Sequence, residues 1–387
     1  MRIRFFRGPI VLPDAVFEDG SVSVEDGRII AVGAAARPGD IEVDLDGRTL
    51  IPGLVDLHGD AIEKEVEPRP NAFFPLPVAF SSIDRRCAAA GITTVFHGIS
   101  FAEGELGVRD TRVAERVARE LRAFAPLALV DHRVHVRYEI TDPVSEGLVT
   151  RLIEDGIASL LSFMDHTPGQ GQFKDVAAYK AYFGKVYRTS EGDIDSLIDR
   201  KQGEAGNSLD RMQRLAKLAL RHGVALAGHD DQGRDRVELM RALGAAVSEF
   251  PCDLATARAA HEAGLATLFG APNVVRGKSL SGALSARDAI AAGVASCLCS
   301  DYAPQALLPA IGTLVGELGL SWPEAIRLVA STPCKAAGLD DRGEIAVGQS
   351  ADLLVVSKAQ GVLVAESVWR QGHNILTARA RSQCGAQ

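Results

Sequence analysis

The chain has 387 residues, 47% of them hydrophobic and 24% charged, and a net charge of −8. That length accommodates one large core with a satellite, or two ordinary domains, and the composition is that of a soluble globular protein. The acidic balance excludes a broad nucleic-acid surface, and no apolar run is long enough to cross a bilayer, so the expectation is a cytoplasmic protein with a small-molecule partner, no nucleic acid and no membrane.

From the start, residues 1–48 read as short strands and turns at 20–24, 28–32 and 41–46, and Pro9, Pro13 and Asp14 interrupt any signal-peptide core. A strand-then-helix rhythm follows. Apolar runs occur at 49–58, 91–98, 128–138, 156–166, 223–229, 244–250, 264–271 and 294–301. Amphipathic patterns lie between them at 109–124, 209–222, 234–243, 254–263 and 285–292. Near-continuous apolar strands alternating with helices imply a buried parallel sheet, and eight of them suit a (β/α)8 TIM-like barrel. No strand ends in the Gly-rich phosphate loop typical of an open doubly wound sheet.

Residues 342–370 resume the β character of the N-terminal end. Neither end alone carries enough apolar strand for a core, so both are expected to form one small β-sandwich domain, 1–48 plus 342–387, beside a barrel at 49–341. The segment 167–207 is too long for an ordinary connection and reads as a lid or site insertion. The six cysteines show no CxxC spacing and read as small buried side chains.

In a barrel the chemistry comes from the C-terminal ends of the strands. Here those ends carry His58 and Asp60, Arg137 and Glu139, Asp165 and His166, His229 with Asp230 and Asp231, Glu249, and Asp301. Strand period two places Asp56, His58 and Asp60 on one face, where imidazole and carboxylate can share a divalent cation. Glu139 ends the third strand and can reach the metal, with Arg137 one step below; a buried Arg137–Glu139 ion pair is the plainer alternative. His229 is a further candidate ligand. Asp301 can bind metal and take the proton from an attacking water.

The words LIPGLVDLHGD and GEIAVGQSADLLVV, with Asp301, resemble the amidohydrolase superfamily along essentially the whole chain. DLHGDAIEKEVEPRP, GITTVFHGIS, SFMDHTPGQGQFKD, GHDD, SEFP, GAPNVVRGKSLSG and SDYAP are similar to one family within it, the alpha-D-ribose 1-methylphosphonate 5-triphosphate diphosphatases of bacterial phosphonate breakdown. The resemblance implies hydrolysis of a phosphoanhydride with release of pyrophosphate. It implies one or two divalent ions, zinc first among them, at His58, Asp60, His229 and Asp301. Glu139 then corresponds to the carboxylate of related amino-sugar deacetylases, and Glu249 stands where many members carry a second histidine, so both are further candidate metal ligands.

Arg69, Arg137, Lys174, Arg276 and Lys278 fall in family-like words and are candidates to neutralise the phosphates. Asp165 and His166 are candidates for substrate contact or proton delivery. Three departures bear on the substrate: Glu65 and Leu280 stand where the family has histidines, and His97 where it has an aspartate, which makes His97 a candidate replacement ligand. An amide, cyclic-amide or deaminase activity on the same barrel is the competing reading, and a metal-free scaffold the remaining one. A homodimer is the commonest assembly open to such a chain.

Overall fold

A computed structural model describes residues 2–167, 198–199, 201–279 and 284–378. Most of the 167–207 insertion, including Lys174, lies outside the described residues, as do Leu280 and Cys384.

The N-terminal strands are β1 (Arg2–Val11), β2 (Val16–Glu25), β3 (Arg28–Val32), β4 (Ile41–Asp44) and β5 (Thr49–Pro52). The barrel strands follow as β6 (Leu54–Gly59), β7 (Ile92–Phe101), β8 (Asp131–Glu139), β9 (Ala158–Met164), β10 (Ala225–His229), β11 (Val247–Glu249), β12 (Ala266–Gly270) and β13 (Cys297–Cys299). Each barrel strand pairs in parallel with the next in chain order. Backbone bonds close the ring at its mouth: Asp301 donates to the His58 carbonyl at 2.9 Å, and Asp60 to the Asp301 carbonyl at 2.8 Å. Val55, Leu57, Phe96, Leu160 and Leu268 fill the interior, together with Cys297 and Cys299, which are free buried thiols. Helices α1 (Ala61–Val66), α2 (Leu76–Ala89), α3 (Thr111–Phe124) and their successors cover the outside with their apolar faces. Asp110 fixes the start of α3 by accepting from the Arg112 and Val113 amides. Among the described residues no helix is long and apolar enough to cross a membrane.

Both ends of the chain enter a second sheet, which adds β14 (Leu353–Ala359), β15 (Val362–Arg370) and β16 (His373–Thr377) in the order β16-β15-β14-β5-β1-β2-β3, with β4 beside β1. Its own core mixes both ends: Phe5, Val22 and Ile29 pack with Leu353 and Val355, and Trp369 stands edge-on to Phe5 at 5.1 Å. Two features were hidden in the sequence. The run 49–58 divides at Gly53, its first half pairing with β14 and its second half entering the barrel. Gly53 permits this because a Cβ there would collide with the Thr93 side chain. The long strand β1 contains Pro9, which sits where the pairing with β2 shifts register, a position that tolerates a missing amide.

Arg342 ties the returning chain to the barrel floor. Its guanidinium bonds Asp131 at 2.8 Å and Thr94 at 3.1 Å. Burial pushes the Asp131 carboxyl up, but Arg133 and Arg342 outweigh it and hold it below its usual range. Arg342→Ala should cost about 2 kcal/mol at neutral pH, the usual scale for losing bonds to a mostly buried charge. The wild-type contribution is present above the unfolded carboxyl pKa of about 4 and is lost as pH falls through the lower folded value, so the gap between the two proteins should narrow in acid. Urea unfolding of both proteins across that range measures it.

Candidate active site

The mouth is built around Glu249, the last residue of the short strand β11 and fully buried. One carboxylate oxygen lies 3.1 Å from His58 Nδ1 and the other 3.1 Å from His229 Nδ1. The two imidazoles stack at 5.4 Å, and Phe250 stands edge-on to both. Tethering both Nδ1 atoms turns both Nε2 atoms away from Glu249. His58 Nε2 lies 3.3 Å from Asp60, and His229 Nε2 accepts from the Arg137 guanidinium at 3.1 Å. Arg137 also reaches both Asp60 oxygens, at 3.4 and 3.5 Å. His135 lies beneath, bonded to Ser162 at 2.8 Å and 3.7 Å from Glu249.

Electrostatics follow from that packing. Burial pulls His58 down, but the carboxylates of Glu249 and Asp60 outweigh it and lift its pKa to about 10. Burial pushes Asp60 up, and Arg137 and then His58 more than reverse this, holding its carboxyl far below the usual range. Burial lowers His229. Asp301 is raised to about 6 by burial and by the charge of Asp60. Without a bound metal, the carboxylates therefore hold a proton on His58 and a guanidinium between Asp60 and His229. Two imidazoles anchored through Nδ1 to a buried carboxylate, beside Asp60, form a donor set that fits a divalent ion such as zinc. His58, His229 and Glu249 bring ligand-type atoms within 4.8 Å of one another, and so do His166, His229 and Asp230.

The backbone is strained at the same place. Asp230, Phe250 and Asp301, each at or just past the end of a barrel strand, have φ of 52°, 51° and 54°. The left-handed region is unfavourable for a residue as bulky as phenylalanine, and such outliers cluster at functional sites.

Of the remaining candidates, Glu139 pairs with Lys201 at 3.0 Å and with His166 Nδ1 at 3.3 Å. The alternative, an ion pair with Arg137, does not form; Arg137 goes to Asp60 instead. Asp165 accepts from the Thr167 amide and so braces its own turn. Asp231 pairs with Arg236 at 3.0 Å below the mouth. Arg69, Arg276 and Lys278 are exposed, the first on the turn after α1 and the others at the end of Ala271–Arg276 and just beyond it.

Two expectations of position fail, those for Asp56 and His97. Asp56 does not share the face of His58, because three residues of β6 span two of β7 between Asp56 and Gly59; Asp56 instead accepts from Ser300, clamping the first strand to the last. His97 turns into the layer between strands and helices, where it bonds His132 at 2.7 Å, and His132 bonds Asp84 of α2 at 3.0 Å. Glu65 pairs with Arg86 of α2. Sequence reasoning missed Lys201, and also the Arg109–Glu63 pair at 2.9 Å, whose charges act on Asp60 and Arg137. Nothing periodic marks these residues as site residues; Glu63 sits in the first helix and Arg109 and Lys201 in short helical segments of the connections.

Residues 193–375 match the amidohydrolase family. The chain is 31% identical to the alpha-D-ribose 1-methylphosphonate 5-triphosphate diphosphatase of Escherichia coli strain K12, over 92% of this chain and 96% of that protein. Among solved structures, the 5-methylcytosine deaminase of Klebsiella pneumoniae with 5-fluorocytosine is similar with a TM-score of 0.67 at 16% identity, covering 98% of each chain. The N-acetylglucosamine-6-phosphate deacetylase of Pasteurella multocida is similar with a TM-score of 0.64 at 11% identity, over 96% of this chain and 99% of that one. These two likenesses show the fold alone. Identity sustained across nearly the full length of both chains carries more: this protein is a hydrolase that belongs to the amidohydrolase superfamily and, within it, to the alpha-D-ribose 1-methylphosphonate 5-triphosphate diphosphatase family.

Proposed function

We propose that the protein is a metal-dependent diphosphatase, releasing pyrophosphate from a ribose 5-triphosphate that bears a 1-phosphonate. The observation that carries this reading is a buried arginine, Arg137, set among Asp60, His229 and the Glu249-anchored imidazoles at the barrel mouth. A guanidinium matches phosphoryl oxygens, not a neutral amide. The strands that supply a carbamylated lysine in many amide-cleaving relatives end here in Glu139 and Met164.

His58, Asp60, His229 and Asp301 would hold the ion, zinc being the best match to mixed nitrogen and oxygen donors. Bound there, the ion supplies a Lewis acid for a phosphoryl oxygen and eases deprotonation of an attacking water. Asp301 takes that proton; burial and the neighbouring Asp60 charge raise its carboxyl to about 6 before an ion binds, above the usual aspartate range. Glu249 fixes the tautomers of His58 and His229 and so aims both Nε2 atoms. Arg137 binds the anionic substrate, and Lys201 keeps the Glu139 carboxylate ionised and in place. The setting is cytoplasmic.

A panel of triphosphate, diphosphate and amide substrates, with products identified directly, tests the reaction class. Pyrophosphate from the triphosphate and no comparable cleavage of hydantoins or N-acyl amino acids is the expected result; efficient amide cleavage without pyrophosphate would move the protein to the competing chemistry. Asp301→Asn should lower kcat by about 100-fold or more while leaving the far-UV spectrum and thermal midpoint unchanged, since it removes the proton acceptor at constant volume. Glu249→Gln can satisfy only one of the two Nδ1–H groups, so it should weaken zinc affinity by about 10- to 100-fold, measured by chelator competition.

A further inference from the structure

Arg137 is poorly satisfied where it lies. A guanidinium has five N–H donors, and charge-assisted bonds to carboxylates normally lie at about 2.7–2.9 Å. Here both contacts to Asp60 are stretched, to 3.4 and 3.5 Å, and the remaining short contact, 3.1 Å, is to the lone pair of a histidine. Among the described residues the buried Nε has no hydrogen-bond partner. The stem runs past Gly98 of β7, where a Cβ would come within 3.1 Å of Arg137 Cδ and 2.7 Å of Asp60. The missing side chain at Gly98 is what lets Arg137 and Asp60 lie side by side over β7.

The groups Arg137 occupies are also the ones an ion would need. His229 donates Nδ1–H to Glu249, so its single remaining lone pair is on Nε2, and that lone pair faces the guanidinium. Arginine and metal cannot both hold it. The same competition applies to Asp60.

We propose that Arg137 is an exchangeable counter-cation: a divalent ion displaces it from Asp60 and His229, and the released guanidinium becomes the ligand of a phosphate or phosphonate dianion. Metal loading and anion binding then favour one another, and by linkage each strengthens the other equally. This rests on the metal site proposed above and adds how the charge of its carboxylates is offset before loading and how it selects an anionic substrate after it.

The test is a zinc titration by chelator competition, with and without methylphosphonate, a dianion that binds free zinc weakly. Arg137→Met should bind zinc about tenfold tighter or better, because a competing charge within hydrogen-bond distance is gone. In the same variant methylphosphonate should no longer tighten zinc binding as it does in the wild type. Arg137→Lys keeps the charge but cannot span both acceptors, and should fall between the two. Unchanged or weaker zinc binding in a natively folded Arg137→Met protein would overturn the proposal, as would an undiminished methylphosphonate effect. If Arg137→Met does not fold, Arg137→Lys decides: tighter zinc binding than wild type supports the exchange, equal or weaker binding overturns it. These titrations involve no turnover, so they read out independently of whether pyrophosphate is the product.

Discussion

One carboxylate organises the mouth of this barrel. Glu249 is fully buried and accepts from Nδ1 of both His58 and His229, so side chains from the first, fifth and sixth strands are fixed against one another. A lone carboxylate in that position would be costly; the proton that His58 retains and the nearby Arg137 offset the charge. Because both Nδ1 atoms are committed, His58 Nε2 faces Asp60 and His229 Nε2 faces Arg137. Glu249 thus sets the direction in which the two free ring nitrogens point.

The barrel supplies the rigidity this arrangement requires. Asp56 clamps the first strand to the last through Ser300, and the His58 and Asp301 backbones close the seam directly beneath the cluster. Three residues at the strand ends, Asp230, Phe250 and Asp301, are held in left-handed conformations that a free chain would leave. The terminal sheet joins this scaffold through β5, which is continuous with the first barrel strand, and through Arg342 at the floor.

Much of this was legible in the sequence. Each of the eight barrel strands overlaps an apolar run, five lying wholly inside and β6, β7 and β8 running past by one, three and one residues, because strands buried on both faces need near-continuous hydrophobicity; the polar ends of the runs marked His58, His229, Glu249 and Asp301. What the sequence hid is local or tertiary. Period two fails across the bulge after Asp56, and an alternating pattern cannot show an extra residue. His97 ends up facing helices because Phe96 and its interior neighbours take the opposite side of β7. Lys201 and Arg109 come from segments without periodicity, and their partners Glu139 and Glu63 are far away along the chain. Arg137 was read as a phosphate ligand or a partner of Glu139, and its contact with His229 could not be seen before the strands were assembled.

The most direct test of the account is anomalous diffraction at the zinc edge from crystals of the zinc-loaded protein. A peak bonded to His58 Nε2, Asp60, His229 Nε2 and Asp301 at about 2.0–2.2 Å is expected, with Glu249 still on the two Nδ1 atoms and Arg137 turned away from His229. A peak bonded to Glu249 and the Nδ1 atoms, or no peak in the barrel mouth, would contradict it.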